Sequence, residues 1–164
     1  MIKNVLKGVA VALAVLEIST LWFLLTLAEP YGRIPGGRIS GVEVGSPVTD
    51  WSSVMSQPLM LEVRPSDPYS VYTSYTIYEG NLYVSAIIGG DSRWARFLVE
   101  DPNLRIRPGR ENVGNKIYKV VATRIEDQSL LDEIHEFRAS KRSAGSTRTP
   151  EELARMWFFR MDSR

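Results

Sequence analysis

The sequence predicts a mainly β domain, a small barrel or strongly bent sheet with short peripheral helices, behind a single transmembrane helix. Three observations carry this. Residues 8–28 form an apolar run that no later segment matches, about five short stretches of β-forming residues are separated by turn signals, and helix-capping signals mark one short helix among them and two after them. A chain of 164 residues suits one domain of ordinary size, and 44% hydrophobic with 24% charged residues is not the composition of a disordered tail. Lysine and arginine total 20 against 19 acidic residues, a net charge of +1, so there is no bulk electrostatic reason to bind nucleic acid, and none is expected as a partner. Cysteine is absent, which excludes disulfides, thiolate metal sites and cysteine nucleophiles.

The first unit, residues 1–28, reads as an anchor. At about 1.5 Å per residue, residues 8–28 span roughly the 30 Å of a bilayer core. Lys3 and Lys7 precede this run and Glu29 follows it, which favours a cytoplasmic N terminus. The expectation is a signal-anchor: single-pass in the cell membrane, touching lipid through residues 8–28, with the rest of the chain on the extracytoplasmic side. Thr26, Leu27 and Ala28 also make a small-residue cleavage site, so a removed signal peptide is the alternative. Glu17 near mid-bilayer would cost about 2.5–3.5 kcal/mol. It reads either as a tolerated lone acid or as a carboxylate that meets a polar group on a membrane-protein partner or a cofactor.

Residues 29–49 are dense in Gly and Pro and read as an extended connector, long enough to lie across the folded body. Strands are expected at 59–63, over SVYTSYTIY, where Val71, Thr73, Tyr75 and Ile77 alternate, and over LYVSAII, with Glu79-Gly80-Asn81 turning the hairpin between the last two. Asp91 or Ser92 can cap a short helix SRWARFLVE that Asp101-Pro102 stops. LRIRP and IYKVVATRIE complete the strands. Asp127 can cap QSLLDEIHEFRASK, whose Leu130, Leu131, Ile134 and Phe137 form an apolar side. Thr149-Pro150-Glu151-Glu152 is a strong helix start, with Thr at the cap and Glu at the third position. Residues 146–164 therefore read as a C-terminal amphipathic helix that packs on the barrel, a partner or the membrane surface.

No common catalytic cluster is present. The sole histidine, His135, sits on a predicted helix and reads as a packing or surface group, so zinc and haem sites lack support. No triad and no phosphate-binding glycine loop can be assembled. The strongest local signal is GGDSRWARFLVEDPNLRIRPG. Arg93 and Arg96 lie near a predicted helix start, while Arg105 and Arg107 share one strand face. These arginines either hold a phosphate or form a solvated patch balanced by Asp91, Glu100 and Asp101.

From about residue 50 to 127, the DW opening, the PLMLEV strand, the VYTSYTIYEGNLYVSA hairpin, DSRWARFLVEDPNLRI and the long strand ending ATRIED resemble the pyridoxamine 5'-phosphate oxidase-like split-barrel flavoproteins. The resemblance implies a split β-barrel over residues 50–145, a homodimer through the barrel, and a flavin, FMN, at the subunit interface. It also implies a basic residue after the hairpin that contacts the cofactor phosphate. Arg93 matches that position with Ser92 beside it, Ser74 and Tyr75 match flavin-edge positions, and Tyr72 is a further contact to the ring or substrate. Two readings of function follow. One is a membrane-tethered flavin-dependent oxidoreductase of a small molecule. The other is an accessory or structural subunit of a membrane protein complex, without cofactor, that meets its partner at Glu17 and the C-terminal helix.

Overall fold

Alternating apolar residues place the strands, and their pairing decides the architecture. The computed structural model describes residues 2–25, 29–55, 58–109, 115–141 and 148–164. In chain order, helix α1 (Ile2–Leu25) is followed by strands β1 (Val42–Glu43), β2 (Leu59–Val63), β3 (Tyr69–Thr73), β4 (Tyr75–Tyr78) and β5 (Asn81–Ala86). Then come helix α2 (Arg93–Glu100), strands β6 (Asn103–Pro108) and β7 (Lys116–Arg124), helices α3 (Gln128–Ser140) and α4 (Pro150–Arg155), and a last strand β8 (Trp157–Ser163). The sheet runs β3-β2-β6-β7-β8-β5-β4, and β1 pairs in parallel with β7.

β3 and β4 stand at opposite ends of this order, yet only Ser74 separates them in the chain. The sheet must therefore curl until its ends meet, giving a mainly β, curled half-barrel with peripheral helices. Its interior is filled by Leu59, Leu61 and Val63 from β2, Leu82 and Val84 from β5, Leu104 and Ile106 from β6, and Phe159 and Met161 from β8. The β4–β5 hairpin turns through Glu79 and Gly80, both at positive φ (50° and 75°), a left-handed pair that matches strand twist.

The segment after α1 lies as a strap over the outer face of the sheet. All five residues of β2 are buried, because the strap covers the side chains that point away from the interior. Ile39 packs there with Met60 and Ile117, and Gly36 exchanges backbone hydrogen bonds with Ser70 at 2.9 and 2.8 Å. A Cβ at Gly36 would fall 2.2 Å from the Glu29 carbonyl carbon, so only glycine lets the strap fold back so closely.

Charge fastens the strap. Glu62, fully buried, accepts from the Ile39 N–H at 2.7 Å and from Arg105 at 2.9 Å. Arg107, 1% exposed, donates to both carboxylate oxygens of Glu29 at 2.7 and 2.6 Å and also to the Ser40 carbonyl. Glu43 on β1 bridges Lys119 at 2.6 Å and Arg105 at 3.6 Å. Arg105 and Arg107 are thus neither a solvated basic patch nor a phosphate site. Buried charges persist only where such partners compensate for lost hydration.

Several expectations are corrected. Among the described residues no helix is long and apolar enough to cross a membrane. α1 carries Glu17, Ser19 and Thr20 in its later turns, so an acid and two hydroxyl residues interrupt the apolar run. The transmembrane helix, lipid contact through residues 8–28, single-pass localisation and membrane-tethered forms of either function fall with it. The cleavage site at residues 26–28 lies outside the described residues.

The C-terminal reading also changes. Thr149 accepts from the Glu152 N–H and Glu152 from the Thr149 N–H, the expected capping box, but α4 ends at Arg155. The aromatic residues that follow form β8, inserted between β7 and β5. Trp157, Phe159 and Met161 point to the barrel interior, whereas Phe158 packs with Tyr83, Ile134 and Met156 beneath α3. These side chains are consumed by the chain's own core, so the C-terminal partner surface is not supported. The single chain gives no support to a homodimer either.

Two predictions follow from this packing. Phe159→Ala should destabilise the fold by about 3–5 kcal/mol, because it opens a cavity beside a central strand, and denaturant unfolding measures it. A surface aromatic at that position would cost far less. Burial pushes the Glu29 carboxyl pKa up, but hydrogen bonds from Arg107 and Ser40 outweigh burial and hold it below the usual glutamate value. A carboxyl lowered in the folded state contributes fully above its unfolded pKa, and that contribution fades as pH falls through the folded value. Glu29→Gln should therefore cost about 2 kcal/mol at neutral pH, with parent and variant converging as pH falls below the usual glutamate range in paired unfolding curves.

Candidate functional site

Ser74 and Tyr75 occupy the point where the sheet closes on itself. Ser74 is exposed, as a residue outside both ladders should be, and Tyr75 begins β4 opposite Val84. Tyr75, Thr76 and Ile77 form one wall of a hollow of about 310 Å³. Phe137, Arg138 and Lys141, at the C-terminal end of α3, form the other.

Local sequence explains why α3 presents these groups. Asp127 caps its start by accepting from the Ser129 and Leu130 N–H groups, and Ile134 is fully buried beneath it. Tyr78 pins the helix to β4, donating to Glu133 at 3.1 Å and packing on Phe137 with 5.3 Å between ring centroids. Cations are favoured at a helix C terminus, where carbonyl groups are left unpaired. Arg138 donates to the Ser85 hydroxyl at 3.2 Å and lies 5.2 Å from the Phe158 ring, while the Lys141 ammonium sits 5.5 Å from the Phe137 ring. Burial pushes the Tyr75 phenol pKa up, so it remains an O–H donor at neutral pH. The hollow thus offers aromatic walls, a phenolic donor and two cations, which suit a flat ligand with an anionic tail.

The remaining sequence-predicted residues lie elsewhere. Ser92 precedes α2 without a side-chain capping bond, and Arg93 lies over the rings of Tyr69 (5.0 Å) and Phe97 (5.5 Å). Tyr69 opens β3 and Tyr75 opens β4, six residues further along the chain. Tyr72 points to the outer face, packed against Ile39, Met60 and Ile117. It lines a separate hollow of about 260 Å³ with Trp94 and the strap residues Gly32, Arg33 and Ile34. The structure therefore places Tyr75 in the hollow's wall, leaves Ser74 next to it in the chain but outside the lining, and sets Ser92, Arg93 and Tyr72 elsewhere.

Arg138 and Lys141 were not singled out in the sequence. Their signal is an Arg and a Lys three apart at the end of an amphipathic helix, next to Phe137, a pattern equally expected from helix-end charge preference alone. His135 packs edge-on against Phe158 at 5.0 Å. Among the described residues no group of three or more His, Cys, Asp or Glu is arranged to hold a metal ion.

No protein-family model matches the chain, and no curated protein matches its sequence. Solved structures do match its fold. A conserved hypothetical protein from Mycobacterium tuberculosis aligns with a TM-score of 0.51 and 15% identity, over 75% of this chain and 86% of the other. A Listeria innocua protein provisionally named a pyridoxamine 5'-phosphate oxidase aligns with a TM-score of 0.50 and 16% identity, over 66% and 84%. A protein from Bacteroides thetaiotaomicron, provisionally named for 5-nitroimidazole antibiotic resistance, aligns with a TM-score of 0.50 and 9% identity, over 72% and 82%. At such identities the likeness is one of fold. The chain shares the fold of these solved structures, and its described residues include no helix long and apolar enough for the membrane-anchored form expected from its sequence.

Proposed function

We propose that this chain holds a flavin-type cofactor, FMN in the most specific form of the reading, in the hollow between β4 and the end of α3, and serves as an oxidoreductase of a small molecule. The observation that carries the proposal is the conjunction of aromatic walls with two cations in one hollow of a split barrel. At about 310 Å³ the hollow has the lower volume typical of small-molecule sites, enough to receive part of such a cofactor.

The residues divide the work by their chemistry. Arg138 and Lys141 hold the anionic end, Arg138 through planar paired N–H groups and Lys141 as a mobile point charge. Phe137 and Tyr75 supply apolar surface for the flat end and exclude water from it. The Tyr75 phenol and the Ser74 hydroxyl donate hydrogen bonds at its rim. A bound flavin would supply hydride or electron transfer, and the protein's part is to orient it and tune its charge. Arg93, Ser92 and Tyr72 do not enter this reading, because they lie at other places on the barrel.

The test is a titration of the purified chain with FMN and with riboflavin, followed by quenching of flavin fluorescence. FMN should bind saturably and riboflavin at least about tenfold more weakly, the loss expected for one charge-assisted contact. Arg138→Ala and Lys141→Ala should each weaken FMN by about tenfold while leaving riboflavin nearly unchanged. Absence of saturable binding, or variants that bind FMN as the parent does, would overturn the proposal.

A further inference from the structure

A second hollow, against β3, is built by parts of the chain that the flavin reading does not use. Its walls are Val71 and Tyr72 of β3, Trp94 of α2, and Gly32, Arg33 and Ile34 of the strap. We propose that it is a second binding site, for a small planar aromatic anion such as an aryl carboxylate, with the ring against Trp94 and Tyr72 and the anion on Arg33.

Each wall is fixed independently. The Trp94 ring rests on Phe159 with 5.9 Å between centroids, and Tyr72 packs against the Ile39, Met60 and Ile117 cluster. The strap wall is a tight turn closed by reciprocal backbone hydrogen bonds between Tyr31 and Ile34 at 3.0 and 2.9 Å, with Gly32 at φ 59°. That turn is held on both sides. Glu29 before it is clamped by Arg107, and Gly36 after it is tied to Ser70. Arg33 is thereby carried over a hollow instead of swinging on a free loop.

The charge pattern selects the ligand. Arg33 is exposed and makes no ion pair or hydrogen bond among the described residues, whereas Arg38, Arg105 and Arg107 of the same face are all engaged by Glu62, Glu43 or Glu29. No acidic side chain lines the hollow. An unopposed guanidinium beside two aromatic walls favours a carboxylate on a flat ring over a neutral or cationic ligand. A volume near 260 Å³ fits one or two fused rings. The inference stands on these contacts and does not depend on the flavin reading.

Calorimetric titration of the full chain, without flavin, with 2-naphthoate and with its neutral counterpart 2-naphthamide tests it. Naphthoate should bind saturably and at least about tenfold more tightly than the amide. Arg33→Gln should abolish that preference, Arg33→Lys should retain part of it, and Lys116→Gln, an exposed cation outside the hollow, should leave it intact. Arg33 is on the surface, so these variants are expected to fold, and circular dichroism checks that they do. Equal binding of acid and amide, or a preference that survives Arg33→Gln, would overturn the assignment.

Discussion

The buried charge network on the outer face of the sheet is the constraint on which the rest of this structure depends. Glu62 and Arg107 have no access to solvent, and each would be costly to bury without a partner of opposite sign. Their partners are divided between the sheet and the strap. Arg105 on β6 is directly opposite Glu62 on β2, while Ile39 and Glu29 reach in from the strap. Arg107 takes its counter-charge from the strap, and Glu62, already paired with Arg105 across the sheet, gains a further hydrogen bond from Ile39, so docking the strap completes the network. The outer face of β2 then becomes a second interior, with Ile39, Met60 and Ile117 packed beside the ion pairs.

Closure of the sheet is the second determinant, and it has a simple origin in the chain. A single residue, Ser74, separates strands that belong to opposite ends of the sheet. Joining those ends reduces the open edges that would otherwise pair with other chains. It also creates the discontinuity beside which Tyr75 meets the end of α3. The two hollows lie along this bent stretch, one against β4 and walled by a helix, the other against β3 and walled by the strap. Their chemistry is similar, aromatic surface with cations, but their supports are independent: Asp127 and Ile134 hold the first through α3, while Glu29 and Gly36 hold the second.

The role of β8 shows how local and tertiary preferences compete. Thr149, Pro150 and Glu152 make a helix start that forms as the local rules require. The same rules do not say where the helix ends. Trp157, Phe159 and Met161 also alternate with period two, and a slot between β7 and β5 buries that alternate set on one side and Phe158 on the other. Satisfying two ladders of backbone hydrogen bonds and two cores outweighs continuing a short helix.

By itself, the sequence determined the features that depend on near neighbours. The β4–β5 hairpin follows from Glu79-Gly80, α3 from its Asp127 cap and apolar stripe, and the start of α4 from its capping box. The β-rich class and its resemblance to split barrels were legible for the same reason, because alternation and turn chemistry are written locally. Tertiary structure alone decided that residues 157–163 form a central strand, that Arg105 and Arg107 are consumed by buried carboxylates, and that Tyr75 meets Arg138 and Lys141 while Arg93 stacks on Tyr69 and Phe97. Those outcomes depend on which distant charge or surface arrives at each residue. Arg107 and Glu29 are far apart in the chain, and only the docked strap makes them a pair.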